Sequence, residues 1–228
     1  MAGTQPTTAG RKATFSAEIG TALTTSVEQN IAALHTAPVI NKQDTHQAHV
    51  IIGTTFPQNL YHQGVRPLDD THSEVFIPLL INNILGGPSM NSRLNLSLRE
   101  RRGLVYSVDS SMVSYKEFRL WTTYFGCDPK DAKRCLRLVR SEINRLRRAP
   151  MSDSALRAAK KQLKGQMALA AENRESYAID MAKQFLHRGY VLPYPVIAEK
   201  IDAITADELQ AFVMQYLSDE RLVTMIMK

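Results

Sequence analysis

The sequence predicts an α+β fold: a mostly antiparallel sheet covered by helices. Three observations carry that prediction. Strand-like segments at 47–55, 104–114 and 118–126 are short apolar runs or alternate with period two, and three residues join the last two as a hairpin. Segments at 131–148 and 152–187 instead repeat their apolar residues at helical spacing. A lone apolar segment, 221–227, closes the chain, so one strand returns after the helices.

Residues 1–37 are rich in Thr and Ala and hold no sustained period, so they read as a linker or tail, disordered in part. The segment 26–34 alone has a helical face, through Val27, Ile31 and Leu34. The ordered domain is expected to run from 38 to 228, as two sub-halves sharing one sheet. Residues 38–45 lead into the first strand, whose core is His49-Val-Ile-Ile-Gly53. Pro57, Gly64 and Pro67 mark a loop over 57–70. Thr71 and Glu74 have the spacing of a capping box, opening a helix to Leu85 with Val75, Leu79, Leu80 and Ile84 inward. Pro78 removes an N–H and crowds the preceding turn, so that helix either kinks or begins there. Gly86-Gly87-Pro88 ends it.

A short basic helix follows over 92–102, with Leu94 and Leu98 as its buried pair and Gly103 as its stop. In the helix at 131–148, Ala132, Cys135, Val139, Ile143 and Leu146 form the inner stripe, and Pro150 stops it. In the next, Leu156, Ala159, Leu163 and Met167 line up, while Gly165 and the polar run 172–175 are candidate bends. A short helix follows Pro195. Thr205 and Glu208 form a second capping box ahead of Leu209, Phe212, Val213 and Tyr216.

Composition excludes several classes. The chain has 228 residues, 44% hydrophobic and 22% charged, in the ordinary range for a globular protein. No apolar run reaches the roughly 20 residues of a membrane span. No secretory signal pattern opens the chain. Cytoplasm is therefore the expected compartment, or periplasm if an upstream signal has been removed. The two cysteines, Cys127 and Cys135, make no disulfide framework and are expected as buried free thiols. A net charge of +6 invites a nucleic-acid reading. Its arginines, at 134, 137, 140, 145, 147 and 148, instead form the polar side of one helix, mixed with Asp131 and Glu142 and without aromatics to stack bases. They read as a solvated face.

The candidate chemistry narrows by elimination. The six histidines are His35, His46, His49, His62, His72 and His187. His46 and His49 are three apart on a predicted strand, where odd separations point to opposite faces. No Cys, His and carboxylate set has zinc spacing, so neither a metal nor a cofactor is expected in this chain. No Gly-x-Ser-x-Gly elbow and no phosphate-binding loop occurs. Arg99 and Tyr106 remain. By themselves they have a bland explanation: a cation complementing a helix C-terminus and a strand tyrosine packing its ring.

The stretch that contains them resembles a family signature. Gly86, Gly87, Ser92, Arg93, Leu94, Leu98, Arg99, Glu100, Gly103, Leu104 and Tyr106 match the pattern Gly-Gly-x-x-x-x-Ser-Arg-Leu, then Leu-Arg-Glu-x-x-Gly-Leu-x-Tyr. This is similar to the non-catalytic C-terminal domain of the pitrilysin-type (inverzincin) zinc peptidases, and the resemblance extends over 38–228. It implies the fold shared by pitrilysin and mitochondrial processing peptidase. The catalytic half of that family carries His-x-x-Glu-His, which this chain lacks. The resemblance therefore implies half of a divided active site, inactive by itself. Its partner would be a zinc-bearing peptidase domain, fused or separate, and its ligand a peptide substrate. Tyr106 would donate to the scissile carbonyl oxygen, and Arg99 would hold a substrate carbonyl or position Tyr106. A homodimer of the isolated domain stays open. Two other readings are a catalytically silent structural subunit of the same fold and a basic binding module unrelated to proteolysis.

Overall fold

The computed structural model describes residues 38–42, 46–57, 76–115 and 118–228. Five strands form one sheet: β1 (Val39–Asn41), β2 (Ala48–Pro57), β3 (Val105–Ser114), β4 (Phe118–Cys127) and β5 (Val223–Met227). Their spatial order is β1-β5-β2-β4-β3. All neighbours are antiparallel except β1 and β5, which run parallel. The mostly antiparallel α+β expectation holds. β1 was not anticipated. It is three exposed residues long, carries no alternation, and is a strand because β5 pairs with it.

β4 shows the physics of the sheet. Its burial alternates at every residue from Phe118 to Cys127. Arg119, Trp121, Thr123, Phe125 and Cys127 face the helical layer, and the others face outward. β2 contributes Ala48, Val50, Ile52 and Phe56 to the same core. The outward face is only partly shielded: Ile51, Val113, Met225 and Tyr106 are exposed on it.

Helix α1 (Ile77–Gly86) begins where Pro78 can sit in its first turn, so proline starts the helix and does not kink it. The capping box at Thr71 and Glu74, Val75, the loop over 58–70 and the tail 1–37 lie outside the described residues. Leu80 and Ile84 are buried as expected, and Leu79 is partly buried. Helix α2 (Ala132–Arg148) buries the predicted stripe, and also Glu142, which the sequence places among the solvated polar residues. Its carboxylate accepts from Arg145 Nη1 at 3.0 Å, so the charge enters the core edge paired.

The long helical segment is two helices, α3 (Asp153–Glu172) and α4 (Arg174–Arg188). The break falls at Asn173, inside the polar run. Its side chain caps α4 by accepting from Ser176 N at 3.1 Å. Gly165 does not break α3, which runs through it. Helices α5 (Tyr194–Ala203) and α6 (Ala206–Tyr216) complete the layer. The Thr205–Glu208 capping box opens α6 with both reciprocal bonds present.

Candidate functional site

The site is built by the segment between α1 and β3. α1 ends against β3 with no room for a side chain at Gly86. A Cβ there would lie 2.8 Å from Ser110 Cβ and 2.9 Å from Ser110 N. The first glycine of the signature is thus a close-approach residue, which lets the helix end touch the strand.

The basic helix follows, and it is not α-helical throughout. Residues Asn95–Glu100 form a π-helix, here π1. Arg101 N donates to Leu96 O, five residues back, at 3.2 Å. The segment is tied to the fold from inside. Leu94 and Leu98 are fully buried, and Asn95 Nδ2 bonds Ser92 Oγ at 2.9 Å. Arg93, from the Ser-Arg-Leu triplet, lies against α2. Burial holds its guanidinium below the ordinary arginine range, Glu142 opposes that shift, and Arg145 adds to it.

At the end of π1, Gly103 adopts φ +58°, a left-handed conformation that favours glycine. Gly103 N bonds Arg99 O at 2.8 Å and Leu104 N bonds Leu98 O at 2.9 Å. Both bonds reach one residue further than in the usual glycine stop, as a π-helical last turn requires. They fix the start of β3 relative to Arg99.

β3 then opens with a bulge. Val105 pairs with Cys127 and Val108 with Phe125, so Tyr106 and Ser107 together face the single residue Gly126. Val105 and Val108 both turn into the core, and Tyr106 turns out, 89% exposed. It has no hydrogen-bond partner among the described residues. The packed-tyrosine explanation therefore fails: among the described residues this ring is left almost wholly exposed. Arg99 is also at the surface, its side chain 42% exposed and its Nε 3.6 Å from Glu100. The Gly103 turn ties the backbone at Arg99 to the start of β3, and no hydrogen bond joins the Arg99 and Tyr106 side chains.

The sequence reading missed the neighbours on the open face. His49 pairs across β2–β4 with Gly126, the residue opposite the bulge. Its Nδ1 lies 2.8 Å from the Tyr124 hydroxyl, which leans to within 3.7 Å of where a Gly126 Cβ would stand. A row from Tyr106 over the bare Gly126 to His49 thus crosses three strands. The only signal was a histidine and a tyrosine at outward positions, which becomes visible once the register is known. Among the described residues, no three His, Cys, Asp or Glu side chains gather into a metal-binding group. His35, His62 and His72 lie outside the described residues.

A model of the peptidase M16 inactive domain matches residues 19–163, more than half of the chain. The chain belongs to that family. The match begins inside the segment 1–37. Relatives include a protein named uncharacterized zinc protease YmxG from Bacillus subtilis (strain 168). It is 26% identical over 192 residues, covering 84% of this chain and 44% of the relative. The mitochondrial-processing peptidase subunit beta of Bos taurus is 28% identical over 135 residues, covering 59% of this chain and 27% of that one. Among solved structures, a protease from Helicobacter pylori superimposes with a TM-score of 0.68 at 15% identity, over 84% of this chain and 43% of the other. A chain of complex III2 from Candida albicans gives 0.66 at 18% identity, over 84% and 45%. The M16 inactive-domain fold is therefore the fold of this chain, which spans less than half the length of these relatives.

Proposed function

We propose that this M16 inactive domain completes the active site of a separate or fused zinc-bearing M16 domain, binding the peptide and assisting its cleavage. The observation that carries the reading is the outward projection of Tyr106. A phenol 89% exposed, aimed by a bulge and anchored by a buried π-helical turn, costs the fold nothing to present. That exposure supports a role toward a partner outside this chain. Zinc in the partner would supply the activated water. The part given to this chain is the donor and the clamp. Tyr106 Oη donates to the peptide carbonyl oxygen, where negative charge grows in the transition state. Arg99, exposed near the end of π1, donates to a main-chain carbonyl of the bound peptide and holds it against the open face.

The test is reconstitution with a zinc-bearing M16 domain. Tyr106→Phe is expected to lower kcat by about 10²–10³ with KM little changed, because the bond forms only in the transition state. Arg99→Ala is expected to raise KM as well. The thermal midpoint of the Phe variant should match wild type, since the hydroxyl has no bond among the described residues. Near-wild-type kcat in a folded Tyr106→Phe complex would remove the reading. It would favour the catalytically silent structural subunit of the same fold.

A further inference from the structure

The outer face of α2 is more than a solvated surface. It lines an open concavity of about 600 Å³ with Arg137, Arg140, Asn144, Arg145 and Arg148, and Asp219 from the turn before β5 joins the lining. Four guanidinium groups face one carboxylate there. The helix dipole accounts for cations in the last turn, where Arg145 and Arg148 lie. It does not account for Arg137 and Arg140, which are more than a turn further back.

We propose that this groove is a docking site for an acidic peptide segment of a partner protein. Three features select that ligand. First, arginines of the groove already pair with carboxylates: Arg140 Nη1 bonds Asp219 Oδ1 at 2.5 Å within it, and Arg145 Nη1 bonds Glu142 Oε1, outside the lining, at 3.0 Å. The fixed fork of arginine suits carboxylates. Second, Arg137 and Arg148 are exposed and make no ion pair among the described residues. Two charges therefore remain for an incoming chain. They lie eleven residues apart, about 16 Å along the helix, which roughly five extended residues would span. Third, the lining holds no aromatic side chain to stack a base. Asp219 inside it opposes a dense run of phosphates. The face lies on the far side of the helical layer from Tyr106, so the proposal stands apart from the role given to that residue.

The experiment uses the full 228-residue chain and fluorescence anisotropy of labelled hexaglutamate, with hexalysine and a thymidine 12-mer as competitors. Hexaglutamate is expected to bind, with affinity falling about tenfold or more as salt rises from about 50 to 300 mM. Arg137→Gln with Arg148→Gln should weaken binding about tenfold at unchanged thermal midpoint. Asp219→Asn frees Arg140 and should tighten it, a change in the opposite direction that no folding defect imitates. Equal binding by the double arginine variant, weaker binding by Asp219→Asn, or displacement by the 12-mer at lower concentration than by unlabelled hexaglutamate would each overturn the proposal.

Discussion

Replacing glycine by alanine should have opposite effects at two helical positions of this chain. At Gly165, exposed in α3, a new Cβ meets nothing within 4 Å. Alanine there only removes backbone freedom from the unfolded chain, so it should stabilise by about 0.5–1 kcal/mol. At Gly86 the same gain is available, but the Cβ would sit 2.8 Å from Ser110 Cβ and 2.9 Å from Ser110 N. Reaching ordinary contact near 3.6 Å requires the helix end and the strand to separate by roughly 0.7 Å, about the gap that erases a quarter to a half of a contact's attraction. Ser110 cannot simply swing aside, because its hydroxyl bonds Thr123 Oγ1 at 2.6 Å and its backbone is in the ladder. Overpacking of this kind costs about 1–3 kcal/mol. Net of the propensity gain, Gly86→Ala should destabilise by about 1–2 kcal/mol. Urea unfolding of both variants beside wild type measures this. Adding Ser110→Ala to Gly86→Ala should restore only part of the loss, since the Cβ and backbone N remain. A Gly86→Ala protein as stable as Gly165→Ala would refute the claim that the glycine exists for close approach.

Leu98→Ala should cost about 2–5 kcal/mol in the same assay, since Leu98 is fully buried beneath π1. Gly103→Ala should cost about 1–2 kcal/mol for forcing a Cβ into the left-handed region, where φ is +58°; the space around it is open, so sterics with neighbours add nothing. Lys160 predicts a pH dependence. Burial lowers its pKa from 10.5, against the opposing attraction of Asp202. Between the lowered value and 10.5 the unfolded chain binds more protons, so this residue's effect on stability improves as pH rises through that window. Urea midpoints of wild type and Lys160→Met at pH 8 and pH 10.5 should show wild type gaining on the variant at the higher pH, and a constant difference would count against it.

The sequence carried most of the helical layer because periodicity and caps are local. Thr205 and Glu208 announce α6 three residues apart, and the polar run around Asn173 announces the break before α4. The residues that went astray depend on partners distant in the chain. Glu142 reads as solvated by its charge, and it is buried because Arg145 and Arg93 meet it at the edge of π1. β1 exists because β5 pairs with it 186 positions later at Val39 and Met225. The π-helical turn is one bond longer than the α-helical reading of the same residues, and leucines at 94 and 98 suit either. Tyr106 and Arg99 were legible as a pair through the signature around them. Their exposure was not, since a strand tyrosine is as readily a core residue until the bulge shows which way it points.

That bulge separates aim from assembly. With Ser107 deleted, Tyr106 would face Gly126 alone, and Val108 would still follow Val105 at two-residue spacing, inward and opposite Phe125. The core does not require the inserted residue. A chain shortened by this one residue should fold with its ladder made regular, yet present its phenol at a changed angle. Insertion length at this single point is thus a dial that alters reach across the face of the sheet while leaving the hydrophobic interior as it was.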